Sequence, residues 1–135
     1  MPAPMEVLKQ VPLFQGLPEK QLKIVASEMT ERRFGEGQEL TAEGGGGAGF
    51  FVIESGTAKV TIDGEERRTL GPRDYFGDIA LIDGGLRTAT ITATSDGVAY
   101  GLTRWQFKPL VETNGEIAWP LLELLAGRIR ELDQH

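Results

Sequence analysis

The chain has 135 residues, which suits one domain and is long enough to bury a core without covalent staples. Its 14 basic and 20 acidic side chains leave a net charge of −6, which argues against direct nucleic-acid binding driven by phosphate neutralisation. There is no cysteine and a single histidine, His135. Disulfides, thiol catalysis, cysteine-type or multi-histidine metal sites and a Ser–His–Asp triad are therefore excluded.

His135 reads as a frayed tail. The N-terminal stretch "MPAPMEVLKQ" has no basic region followed by an apolar run, so no secretory leader is expected. No apolar stretch approaches the ~20 residues of a membrane span. A cytoplasmic location with no membrane partner is the expectation. Eighteen glycines and seven prolines predict many turns, and hence many short strands.

In chain order, "PLFQGL" is a short apolar turn. Residues 17–30 follow as a helix, with Pro18 in its first turn and Leu22, Val25, Ala26 and Met29 at helical spacing. The period then changes. Gly35 and Gly37 mark a turn, and the glycine-rich stretch 44–49 reads as a loop tip or as the edge of a ligand pocket. Ala58, Val60 and Ile62 alternate with Thr57, Lys59 and Thr61, and Asp63–Gly64 is a two-residue hairpin signal. "TATITATSDGVAYGL" gives a strand, a Ser–Asp–Gly turn and a return strand.

After this the helical period resumes. "TRWQFKPLVET" fits a short helix capped by Thr103, and "NGEIAWPLLELLAGRIRELDQ" a longer one. Pro120 is tolerable near the start of that helix and kinks it otherwise. Ala118, Leu122, Leu125, Ile129 and Leu132 recur with a period of 3.5. That seam either packs on the chain's own barrel or pairs with the same helix of a second copy. The fold class expected is mainly β with flanking α-helices: a double-stranded β-helix, or jelly-roll-like β-roll, with helices at both ends. The divisions expected are a helical segment 1–30, a β-roll 31–103 and C-terminal helices 104–135, all within one domain, 1–135.

The segment "FGDIALIDGGLRTATI" carries the chemistry. Arg87 shares strand parity with Ala89, Ile91 and Ala93, while Thr88, Thr90, Thr92 and Thr94 share the other face. An inward guanidinium at the edge of an apolar interior needs an anion. Asp78 or Asp83 could supply it as a structural ion pair. The segment just before Arg87 favours an exogenous anion. Gly77 lets a ligand approach the backbone, "DIALI" forms a short helical turn with unpartnered N–H groups, and Gly84–Gly85 turn the chain back toward Arg87. Asp78 beside such an anion would face ligand hydroxyls, a demand that a phosphate joined to a sugar diol meets.

Phe76-Gly77-Asp78-Ile79-Ala80-Leu81, then Ile82 to Gly85, then Leu86-Arg87-Thr88-Ala89-Thr90-Ile91, closely resembles the phosphate-binding cassette of cyclic nucleotide-binding domains. That pattern is roughly F-G-E-[IL]-A-L, a short variable stretch, then P-R-[ST/A]-A-[ST]-[IV]. "PLFQGLPEKQLKIVA", "FFVIESGTAKV" and "LLELLAGRIREL" resemble the family's N-terminal helix, strand pair and C-terminal helix, so nearly the whole chain is covered.

The resemblance implies a regulatory domain, not an enzyme, whose ligand is cAMP or cGMP, with cAMP favoured, and with no metal. It implies that Arg87 binds the exocyclic phosphate, supported by backbone N–H groups near Ala80 and at Thr88, with the Thr88 hydroxyl nearby. Gly77 would lie against the ribose, and Asp78 would stand where the family has the glutamate that accepts from the 2′-OH. Leu70, Phe76 and Ile79 would contact sugar or base, and the base cap would come from around Leu132 and Asp133. Two positions depart from the pattern: Asp78 replaces glutamate and Leu86 replaces proline. They keep a ligand-independent interaction module as the alternative. The partners expected are the cyclic nucleotide, a protein effector, and a second copy through Leu122, Leu125, Ile129 and Leu132. A cupin-type enzyme on the same roll is disfavoured by the lone His135.

Overall fold

The structure is a computed structural model and describes residues 5–41, 49–83 and 89–133, with backbone alone for 78–80. Among these residues lie eight strands. They are β1 (Thr30–Phe34), β2 (Glu39–Thr41), β3 (Gly49–Ser55), β4 (Ala58–Ile62), β5 (Glu65–Leu70), β6 (Tyr75–Phe76), β7 (Thr90–Ala93) and β8 (Gly97–Thr103). Two four-stranded antiparallel sheets run β1-β8-β3-β6 and β2-β7-β4-β5. The first strand pairs with the last, the second with the seventh, the third with the sixth and the fourth with the fifth. That is a long ribbon rolled on itself, the double-stranded β-helix expected from the sequence.

Local chemistry sets the register. Ile62 pairs with Glu65 across a two-residue loop in which Asp63 and Gly64 have φ of 54° and 79°, as the primed hairpin turn demands. At the β7–β8 turn, a Cβ on Gly97 would lie 2.2 Å from the Ser55 carbonyl and 2.5 Å from the Phe34 ring, so this close strand approach requires glycine.

Helices α1 (Met5–Leu8), α2 (Glu19–Glu28), α3 (Asp78–Asp83), α4 (Arg104–Thr113) and α5 (Gly115–Asp133) flank the roll, with a 3-10 turn at Pro12–Phe14. Thr103 caps α4 in a capping box. Its Oγ1 accepts from the Gln106 N–H at 3.1 Å, and its own N–H donates to Gln106 Oε1 at 2.9 Å. Three element boundaries differ from expectation. Helix α2 begins after Pro18, which is its N-cap, and ends at Glu28, because Met29 is already extended and Thr30 opens β1. Within the helical segment 1–30, Met5–Leu8 forms a separate helical turn ahead of the predicted helix 17–30. Gly49 belongs to β3, not to the glycine-rich loop, the rest of which lies outside the described residues.

The roll divides the core in two. On the outer face of the first sheet, Phe50, Val52, Tyr100 and Leu102 pack against Phe14, Val25, Phe107 and Ile117 of the helical layer. Phe14 meets Phe50 edge-on at 5.5 Å and Phe107 at 6.2 Å. Each such fully buried aromatic contributes about 2–3 kcal/mol through burial, before its edge-on contacts add more. The space between the sheets holds the second core, and it positions the candidate site.

Candidate functional site

Ile53, Ala58, Val60, Leu70, Phe76 and Ile91 are buried between the sheets, with half-buried Leu40, Phe51 and Ala89 packed on them. In β7, Ile91 and Ala93 are buried while Thr90 and Thr92 are half-buried, so the Ala/Ile face points inward, as its parity predicted. Ala89 joins the same inner cluster. Arg87 and Thr88, with Gly84, Gly85 and Leu86, lie outside the described residues. Of the residues expected to touch sugar or base, Leu70 and Phe76 line this inner cluster at 2% and 8% exposure. For Asp78, Ile79 and Ala80 the backbone places them in the first turn of α3.

Gly77 makes the turn from strand to helix in one residue. Its φ is +87°, a conformation that side-chain-bearing residues rarely adopt. Its carbonyl accepts the first helical bond, from the Leu81 N–H at 3.1 Å. The strand therefore ends at Phe76, at the inner core, and the helix begins immediately beyond it. Three residues of this neighbourhood were not singled out from the sequence. The Phe51 ring stacks on Phe76 at 5.3 Å between centroids. Leu81, 1% exposed, carries α3 into the helical-layer core. Arg104 Nε donates to the Ile82 carbonyl at 3.3 Å. The inward parity of Phe51 could have flagged the first. The arginine at the first position of a helix could have flagged the last, because a cation is unfavourable there.

A separate cavity of about 220 Å³ opens where α3, α4 and α5 meet, lined by apolar side chains including Leu81, Ile82, Phe107, Val111, Leu121 and Leu125. Helix α5 packs on the domain through Ile117 and Leu121. Ala118, Leu122 and Leu125 of the 3.5-residue seam also line that cavity, so the first half of the seam faces the chain's own helices, with Ala118 and Leu125 half-buried. Leu122, Ile129 and Leu132 of that seam are 55%, 58% and 73% exposed, because the inward stripe lies one residue earlier. Pro120 sits sixth in α5 and is accommodated within it, against Gly16, where an added Cβ would come 3.3 Å from the Pro120 Cβ. Leu132 and Asp133 are exposed at the end of that helix.

Two rolled antiparallel sheets, helices at both ends and a glycine-initiated helical turn at an apolar inner core define a β-roll domain with flanking helices. Residues 31–114 match the cyclic nucleotide-binding domain family, and the chain belongs to that family, as the resemblance of its cassette segment implied. It is 30% identical over 131 residues to the cyclic AMP receptor protein of Thermus thermophilus, which covers 93% of this chain and 61% of that protein. It is 36% identical over 99 residues to a cGMP-dependent protein kinase of Toxoplasma gondii, covering 73% of this chain and 10% of the kinase.

Among solved structures, it superposes on the N-terminal domain of a transcriptional regulator from Streptomyces coelicolor with a TM-score of 0.85 and 31% identity, covering 95% and 92% of the two chains. The cAMP-bound regulatory domain of Toxoplasma gondii protein kinase A superposes with a TM-score of 0.72 and 34% identity, over 78% of this chain and 42% of that one. Among the described residues, no helix is long and apolar enough to cross a membrane, and no group of three or more His, Cys, Asp or Glu could hold a metal ion.

Proposed function

We propose that this chain is a non-enzymatic sensor domain that binds a cyclic nucleotide, cAMP in preference to cGMP. The observation that carries this reading is the Gly77 turn. It starts a helix directly beside the apolar inner core formed by Phe76, Phe51 and Leu70, which Ala89 and Ile91 join. In the reading, Arg87 grips the exocyclic phosphate, with backbone N–H groups near Ala80 and at Thr88 and the Thr88 hydroxyl as further donors. Gly77 and Asp78 meet the ribose, and Leu70, Phe76 and Ile79 meet sugar or base. No metal takes part. The preference for cAMP is supported by the names of two relatives, a cyclic AMP receptor protein and a cAMP-bound kinase regulatory domain.

The unit is a single domain, 1–135, that passes ligand occupancy to an effector or to a second copy through α5. The exposed seam of Leu122, Ile129 and Leu132 supports the second copy. The net charge of −6 supports a protein rather than a nucleic-acid contact. The second reading is a ligand-independent interaction module, favoured by Asp78 and Leu86 in place of glutamate and proline. Calorimetry with cAMP and cGMP separates the two. Saturable heat at or below millimolar ligand selects the sensor, and its absence selects the module.

A further inference from the structure

Arg104 occupies the first position of α4, where its positive charge opposes the dipole of its own helix. Local helix chemistry therefore gives no reason for it. Its side chain is partly buried and reaches 22 residues back along the chain, where Nε donates to the Ile82 carbonyl at 3.3 Å. That carbonyl belongs to the last turn of the six-residue α3, where carbonyls lack intrahelical partners and a cation is favourable. The neighbouring Leu81 is 1% exposed and buried in the helical-layer core, which Phe107 of α4 shares. The two anchors hold α3 from its far end, while its near end starts at Gly77.

We infer that Arg104 is a positioning residue: by holding the C-terminal carbonyls of α3 it fixes where the backbone from Gly77 onward is presented to the ligand. This rests on the ligand site proposed above. So short a helix has few hydrogen bonds of its own, and its orientation is set by what it is tied to. A guanidinium forks and keeps its direction. An ammonium can reach the same carbonyl as a point donor, so lysine should substitute in part.

The test uses the full chain with four variants, Arg104→Ala, Arg104→Gln, Arg104→Lys and the control Gln21→Ala. Gln21 is buried in α2 and donates to the Glu116 carboxylate of α5, so the control loosens the helical layer without touching α3. Amide hydrogen exchange at Leu81, Ile82 and Asp83 is measured without ligand, and cAMP affinity by calorimetry. The expected result is faster exchange at those three amides and roughly tenfold weaker cAMP binding in Arg104→Ala and Arg104→Gln. Arg104→Lys should recover most of both, and Gln21→Ala should change neither. Wild-type exchange in Arg104→Ala, or equal acceleration in Gln21→Ala, overturns the assignment. If the wild-type chain binds no cyclic nucleotide, the proposed function fails on that arm, while the exchange arm still decides whether Arg104 holds α3.

Discussion

Phe51 of β3 stacks on Phe76 of β6, with ring centroids 5.3 Å apart and planes inclined by 27°. The stack exists because β8 is bare at Gly101, where an added Cβ would fall 2.7 Å from Cε1 of the Phe51 ring. One strand thus supplies space so that two others can line the interior with aromatic surface.

Gly101→Ala should displace the Phe51 ring and cost about 1–3 kcal/mol of stability by overpacking. Phe51→Ala should cost about 2–3 kcal/mol, below the range for a fully buried phenylalanine because Phe51 is half-buried. The two changes should not add: in the Phe51→Ala background the alanine at 101 meets no ring, and most of its cost disappears. Urea unfolding of the two single variants and the double variant measures this. Additive costs would contradict the stacking account.

Tyr100 is buried, and its hydroxyl pKa is pushed up to about 12, chiefly by donation to Glu54, then by burial, then by the charges of Glu54 and Glu31. A phenol whose folded pKa lies above its unfolded value of about 10 stabilises the fold in the protonated form. That contribution is complete below pH ~10 and is lost as pH rises through 12. Because Glu54 is exposed, solvent screens the pair and the effect is modest. Chemical denaturation between pH 9 and 12 should show a steeper loss of stability in the wild type than in Tyr100→Phe, by about the difference one titrating group makes. Parallel curves would contradict it.

Much of the fold was legible because its signals are local. The Asp63–Gly64 turn, the Thr103 cap and the alternation of Ile91 and Ala93 each depend on a few consecutive residues, and each took its expected form. What was not legible depends on partners distant in sequence. The inward stripe of α5 is Ile117 and Leu121 because the helical layer lies there; the heptad spacing alone could not choose between adjacent stripes. Phe51 meets Phe76 only through the β3–β6 pairing, and Arg104 meets Ile82 only because α3 and α4 are brought together. The glycine at 77 was readable as a point of backbone approach, and its positive φ adds that it initiates α3.

The seam on α5 leads to a prediction about assembly. Leu122, Ile129 and Leu132 expose apolar surface at coiled-coil spacing. Sedimentation at tens of micromolar should reveal a reversible dimer, and Ile129→Lys with Leu132→Lys should weaken it by a hundredfold or more, about 3 kcal/mol. A strict monomer in the wild type would rule out this pairing.

Asp78 is one methylene shorter than the glutamate of the family pattern. In the proposed pocket, Asp78→Glu should extend the carboxylate toward the ribose 2′-OH and tighten cyclic-nucleotide binding. A charge-assisted hydrogen bond contributes about 1.5–3 kcal/mol, or roughly 10- to 150-fold. Competition binding with cAMP checks this, and unchanged affinity would mean that the acid at 78 does not reach the sugar.

The proposed grip of Arg87 on a cyclic phosphodiester is measured by calorimetric titration of cAMP into the wild type and Arg87→Ala. Saturable heat is expected in the wild type and affinity at least about tenfold weaker in the variant, the loss of a charged hydrogen-bonding partner. No heat in the wild type at millimolar cAMP, or the same affinity in both proteins, would contradict it.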